Sequence, residues 1–140
     1  MALMKIGKLA IVVMAAVSAP CFAYDCMSSQ AYSDGVAAFK ETNRANGAQL
    51  GVAVKYLQQK EGMGFDAALK EVMQHGASPE ARALDDRLAA LGAQIKAAKP
   101  QNDDECMALL QVQQQFGETG RQKIALIVKD VTGQDASSNP

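Results

Sequence analysis

The chain has 140 residues and a mass of 14.8 kDa, which fits one domain because a second hydrophobic core needs roughly another hundred residues. Fourteen basic residues nearly cancel fifteen acidic ones, so the chain lacks the basic field that binds nucleic acid or an anionic membrane. Hydrophobic residues make up 49%, too many for a disordered chain. Composition therefore predicts one folded domain without a nucleic-acid partner, and it names no biochemical function.

The first 23 residues have the pattern of a secretory signal peptide. Lys5 and Lys8 precede an apolar run at 9–17, and small residues stand before a cleavage position after Ala23. A membrane-spanning helix needs about 20 apolar residues, so this run is too short for a retained anchor. We therefore expect export to the periplasm, no membrane attachment after cleavage, and a mature chain that begins at Tyr24.

Two cysteines, Cys26 and Cys106, remain once the signal peptide is removed. An even number of cysteines in an exported protein predicts a disulfide bond. The bond would close a loop of about 80 residues, and chain entropy assigns such a loop roughly 4.5 kcal/mol of stabilisation. Redox-active pairs are usually close in sequence, as in a C-x-x-C motif, so we interpret this pair as structural.

The first half of the mature chain predicts three helices. The first runs from about Ser28 to Arg44 and is closed by Asn46-Gly47, and the second covers about 50–61. A short third helix begins near Phe65 and ends at His75-Gly76.

The second half predicts two stronger helices. One runs from about Pro79 to Ala98, with Ser78 as its N-cap and Pro100 directly after it. The other starts after Asn102 and reaches about Val131, unless the two glycines that follow Phe116 kink or break it.

These elements predict an all-α fold, an up-and-down bundle of four to five helices over residues 24–132. Five helices that alternate in direction place the starts of the first and the fifth at the same end. Cys26 and Cys106 lie at those two starts, so the helix count and the predicted disulfide agree. The tail at 133–140 has no apolar face, and we expect it to be disordered.

The sequence contains no recognisable catalytic or cofactor motif. The single histidine, His75, lies at a predicted helix end, where a cation is favoured without any further role. No nucleophile elbow or phosphate loop is found, and both cysteines are assigned to the disulfide. We predict no enzyme, no cofactor and no metal. The alternatives left open are a bundle that binds a small ligand, a metal or a haem held by a methionine and His75, and a periplasmic chaperone.

The remaining candidates are surface residues that fit a protein partner. An apolar pair beside two glycines marks a partner contact or, alternatively, a local packing contact between helices. Carboxylates at two helices mark a rim for a basic partner or, alternatively, a solvated helix face. The candidate partner-binding residues are Met63, Phe65, Asp85, Asp86, Asp103, Asp104 and Glu105.

In this outline the chain resembles the small helical, disulfide-bearing immunity proteins that protect bacteria from cell-wall amidases delivered by type VI secretion. The resemblance covers the export signal, the helical bundle, the long-range cystine and the missing catalytic set. It implies a non-enzymatic inhibitor that inserts a loop or a helix into the catalytic groove of a secreted peptidoglycan hydrolase. A one-to-one or dimer-based complex that buries more than about 1,000 Å² is expected, with a homodimer as one arrangement.

Overall fold

The computed structural model describes residues 24–135, and within them the chain forms four α-helices and one 3₁₀ turn. The turn is Cys26–Ser28, and the helices are α1 (Gln30–Glu61), α2 (Phe65–His75), α3 (Pro79–Ala97) and α4 (Asp103–Thr132). The predicted all-α bundle is confirmed, with a count of four helices. The predicted signal peptide at 1–23 and the last five residues of the predicted tail lie outside the described residues.

Helix α1 is one helix of 32 residues where the sequence predicts two. The predicted end at Asn46-Gly47 is wrong because the Asn46 side chain is used between helices. Its Nδ2 donates to the Gly117 carbonyl oxygen of α4 at 3.1 Å, and Asn46 is buried. Helix α1 ends instead at Gly62, which adopts the left-handed conformation that glycine tolerates best.

Helices α3 and α4 begin where their capping residues predict. The Ser78 hydroxyl accepts from the Ala81 amide at 3.2 Å, and the Asn102 side chain accepts from the Glu105 amide at 2.9 Å. Helix α4 continues through both of its glycines as one helix of 30 residues, so the predicted long helix is confirmed and the alternative, a break after Phe116, does not occur.

Helix α4 is the central helix of the bundle, and α1 runs parallel to it. Cys26, just before α1, is bonded to Cys106 in the first turn of α4, as predicted. Near the opposite end, Val54 of α1 and Val128 of α4 belong to one buried cluster. The first and last helices therefore start at the same end of the molecule.

Helix α3 lies on another side of α4 and runs antiparallel to it. Asp85, early in α3, forms an ion pair with Lys123, late in α4. Gly92, further along α3, lies beside the Phe116 ring, which is nearer the start of α4. The three long helices thus alternate in direction. Helix α2, with 11 residues, packs against α1 and α4 only at the end opposite the disulfide.

Buried residues form two clusters at opposite ends of the α1–α4 pair. The first joins α1, α2 and α4 and contains Ala53, Val54, Leu57, Ala68, Val72, Ile127 and Val128. The second surrounds the disulfide and contains Cys26, Tyr32, Cys106 and Leu110. The short α2 therefore completes the core at one end, and the disulfide joins the helices at the other.

Small residues allow α1 and α4 to pack closely. A Cβ atom added at Gly35 would collide with the Leu110 side chain, and one at Gly117 would lie 3.3 Å from the Phe39 ring. Glycines at these positions make room for large side chains of the facing helix.

Candidate functional site

Three exposed apolar residues each stand within two positions of a disulfide cysteine, and we call them the disulfide-end patch: Tyr24, Met27 and Met107. Their exposed fractions are 36%, 53% and 36%. The two cysteines themselves are buried, since Cys26 is 8% exposed and Cys106 is 0% exposed. The disulfide therefore joins the two chain segments that carry the patch residues.

Local hydrogen bonds hold this patch in place. Asp25 caps the 3₁₀ turn, because its carboxylate accepts from the Met27 amide at 3.0 Å. The Tyr24 hydroxyl donates to the Asp103 carboxylate at 2.6 Å, which ties the start of the described chain to α4. This hydrogen bond raises the pKa of Tyr24, because ionisation of the phenol would remove the donated proton beside a carboxylate.

The same end carries the predicted carboxylates of α4. Asp103, Asp104 and Glu105 all lie in its first turn and are exposed, where the positive end of the helix stabilises negative charge. Glu105 also accepts from the Gln101 amide at 2.7 Å, so it helps to cap the helix. The solvated-face interpretation explains their presence, and their position makes the rim of the disulfide-end patch acidic.

The two other predicted carboxylates do not belong to this rim. Asp85 forms its ion pair with Lys123, and Asp86 is the next residue of α3. Lys123 lies 18 residues beyond Glu105 along α4, which corresponds to about 27 Å of helix. The structure therefore separates the predicted acidic surface into two distant parts.

Met63 and Phe65, predicted together, differ in their surroundings. Met63 is half-buried and packs against the cluster formed by α1, α2 and α4. Phe65 is 59% exposed at the first position of α2. The packing interpretation thus describes Met63, whereas Phe65 remains available on the surface.

Helix α2 exposes a row of apolar side chains that we call the α2 stripe: Phe65, Leu69 and Met73, which are 59%, 40% and 62% exposed. Ala68 and Val72, on the neighbouring face, are completely buried. Leu69 and Met73 were not among the predicted partner-binding residues, because they fit the apolar periodicity of a core helix. The available signal was the width of the apolar face, which exceeds what so short a helix buries.

The residues considered for catalysis or metal binding remain dispersed. Nε2 of His75 lies 3.7 Å from a carboxylate oxygen of Glu71, which is one turn earlier on α2. Between residues 24 and 135, no group of three or more histidine, cysteine or acidic side chains is arranged to hold a metal ion.

An open groove of about 540 Å³ lies between α3 and α4. Its two cations are already paired, since Arg121 binds Glu118 and Lys129 binds Asp135. The Glu118 carboxylate raises the pKa of Arg121, and Arg121 in turn lowers that of Glu118. The groove is lined by Leu84, Arg121, Gln122, Ala125, Leu126, Lys129 and Asp135.

None of the helices within the described chain is long and apolar enough to cross a bilayer. Comparisons with protein families, curated proteins and solved structures found no match.

Proposed function

We propose that the chain is an exported, non-enzymatic binding protein that inhibits a secreted cell-wall hydrolase by covering it with the disulfide-end patch. The observation that carries this proposal is the combination of three exposed apolar side chains with a carboxylate rim on a disulfide-bonded base.

The composition of the patch suits a protein interface. Methionine and aromatic residues are enriched in the centres of interfaces, where they are desolvated on binding. The hydrogen bonds of Tyr24 and Asp25 already hold the backbone that carries two of the three side chains. Binding therefore has to order the exposed side chains but little of the backbone that carries them.

The rim determines the chemistry of the partner. Asp25, Asp103, Asp104 and Glu105 place several negative charges around the patch, so the partner surface is expected to be basic with an apolar centre. Electrostatic attraction of this kind raises the association rate and weakens with added salt.

Two further observations support export and an inhibitor role. The predicted signal peptide directs the chain out of the cytoplasm, and the disulfide is of the kind that persists in oxidising compartments. The outline of the chain resembles immunity proteins that act on secreted cell-wall amidases, which supplies the proposed class of partner.

Binding to an exported peptidoglycan hydrolase encoded beside the gene for this chain tests the proposal. The oxidised mature chain, residues 24–140, is titrated into the hydrolase by calorimetry, and peptidoglycan cleavage is measured in parallel. We expect a stoichiometric complex, loss of cleavage, and an affinity that falls as the salt concentration rises. A hydrolase that stays fully active beside saturating amounts of the chain would contradict the proposal.

Variants at the two ends of the molecule locate the contact. Met27→Ser and Asp104→Lys are each expected to weaken the complex by roughly tenfold or more. The first removes a central apolar contact, and the second reverses a charge of the rim. Met73→Ser is the matched control, since Met73 is similarly exposed at the far end. If Met73→Ser weakens the complex and Met27→Ser does not, the disulfide-end patch is not the docking surface.

A further inference from the structure

Helix α2 has an apolar face of which only part is covered by its own chain. Ala68 and Val72 are buried against α1 and α4, whereas the adjacent α2 stripe is 40–62% exposed. Phe65, Leu69 and Met73 recur at intervals of four residues, so they stand in one row along the helix. Such a row is the usual form in which a helix presents apolar anchors to another helix.

We propose that the α2 stripe is a homodimer interface, in which α2 of two copies pair in antiparallel directions about a two-fold axis at Leu69. A two-fold interface must be self-complementary, and this row satisfies that condition. Leu69 meets Leu69 of the second copy, and Phe65 meets Met73 of the second copy on both sides. Sulfur–aromatic contacts of this kind are favourable.

The charges beside the stripe favour the antiparallel direction. Asp66 and Lys70 each follow a stripe residue by one position, so they lie along the same edge, and both are exposed. Along the helix axis Asp66 lies about 4.5 Å before Leu69, and Lys70 lies about 1.5 Å after it. The two-fold axis brings the same edges of both copies together. Asp66 of each copy then lies about 3 Å, measured along the helix axis, from Lys70 of the other copy, which gives two equivalent pairs of opposite charge.

A parallel pair would lack this complementarity. In a parallel pair, the edge of one α2 that carries Asp66 and Lys70 would lie against the other edge of the second α2, where Ala68 and Val72 are buried. The charges of Asp66 and Lys70 would then face apolar side chains instead of each other.

The exposed area sets the strength of the dimer. With side chains of about 200 Å² each, the exposed fractions of the three stripe residues correspond to roughly 300 Å² per copy. Stable interfaces bury about 800 Å² per partner, so this dimer is small and reversible. A monomer–dimer equilibrium that depends on protein concentration follows.

This dimer leaves the disulfide-end patch free. The cluster under α2 includes Val128, which lies 22 residues, or about 33 Å of helix, beyond Cys106. Each copy would therefore carry its patch away from the dimer axis. The proposed dimer and the proposed inhibitor function use different surfaces, so each can be tested without the other.

Sedimentation of the oxidised mature chain over a wide concentration range tests the dimer. We expect the mass to rise from one copy toward two as concentration increases, and Leu69→Asp to remain a monomer because it places two carboxylates face to face. Leu69 is partly exposed, so this variant is expected to keep the helical circular dichroism of the wild type. A wild-type mass of one copy at every concentration would overturn the proposal, as would a Leu69→Asp variant that still dimerises.

Charge exchange tests the antiparallel direction. Asp66→Lys is expected to weaken self-association by roughly tenfold, since two ion pairs become two repulsions. Adding Lys70→Asp restores the opposite charges, so the double variant should dimerise like the wild type. Asp104→Lys, at the disulfide end of the molecule, is the control and should not change self-association. A double variant that is as weak as Asp66→Lys alone would exclude the antiparallel pairing.

Discussion

Tyr24 illustrates how one side chain connects distant parts of the chain. Its hydroxyl donates to Asp103, 79 positions away in sequence, and the acceptor lies in the first turn of α4. Because the neutral phenol is the donor, the hydrogen bond exists below the pKa of Tyr24 and is lost as the pH rises through that raised pKa.

We therefore predict that Asp103→Asn lowers the pKa of Tyr24 toward the ordinary tyrosine value of 10.0, since the carboxylate acceptor and its charge are both removed. NMR of carbon-labelled tyrosine resolves the three rings and follows this titration. Asp104→Asn is the control, because the hydrogen bond of Tyr24 goes to the neighbouring residue. An unchanged titration in Asp103→Asn would show that the hydrogen bond does not form in solution.

At the scale of the helices, the glycines of α1 divide into two kinds. Gly35 faces the Leu110 side chain of α4, whereas a Cβ at Gly51 would meet no other atom within 4 Å. Gly51 therefore has room for a methyl group, and it leaves α1 with the entropy cost of a glycine in a helix interior.

Opposite stability changes are predicted for alanine at these two positions. Gly35→Ala should destabilise the protein by about 1–3 kcal/mol, because the added methyl group overpacks the α1–α4 contact. Gly51→Ala should stabilise it by about 0.5–1 kcal/mol, because alanine is the better helix former. Urea unfolding of both variants measures the difference. Equal stabilisation by both substitutions would mean that α1 and α4 do not pack closely near Leu110.

Helix bounds that depend on neighbouring residues are predictable from the sequence, whereas bounds that depend on tertiary contacts are not. The bounds of α3 were predictable because Ser78 and Pro100 act on adjacent residues. The continuity of α1 was not, because Asn46 resembles a helix end locally and hydrogen-bonds to Gly117 only after α4 has packed.

The surface residues follow the same rule. Periodicity identifies the apolar face of α2, but it does not reveal that α1 and α4 cover only part of that face. Leu69 and Met73 were therefore missed, and the carboxylates at Asp85 and Asp103 were grouped although α3 and α4 hold them at opposite ends.

At the scale of the whole molecule, the two core clusters differ in what holds them. The cluster beneath α2 is closed by apolar packing of three helices, and the other is closed by the disulfide. Removing the disulfide should therefore loosen one end of the molecule before the other.

We predict that replacing both cysteines by serine lowers the free energy of unfolding by up to roughly 4.5 kcal/mol, because the unfolded chain gains the entropy of an open loop. Hydrogen exchange should show that protection of the amides of Tyr32 and Leu110 falls more than that of Val72, within the intact α2 cluster. A uniform loss of protection would instead indicate that both ends unfold as one cooperative unit.

The disulfide between the starts of α1 and α4 also determines how the protein carries mechanical load. A pulling force applied between residues 24 and 135 passes from Cys26 through the disulfide to Cys106 and then along α4. The residues between the two cysteines form a closed loop outside this path, so tension does not stretch α1, α2 or α3 directly. Once the sulfur–sulfur bond is cleaved, the same force would act on α1, α2 and α3, and their unfolding would lengthen the chain by about 80 residues, or roughly 270 Å when fully extended.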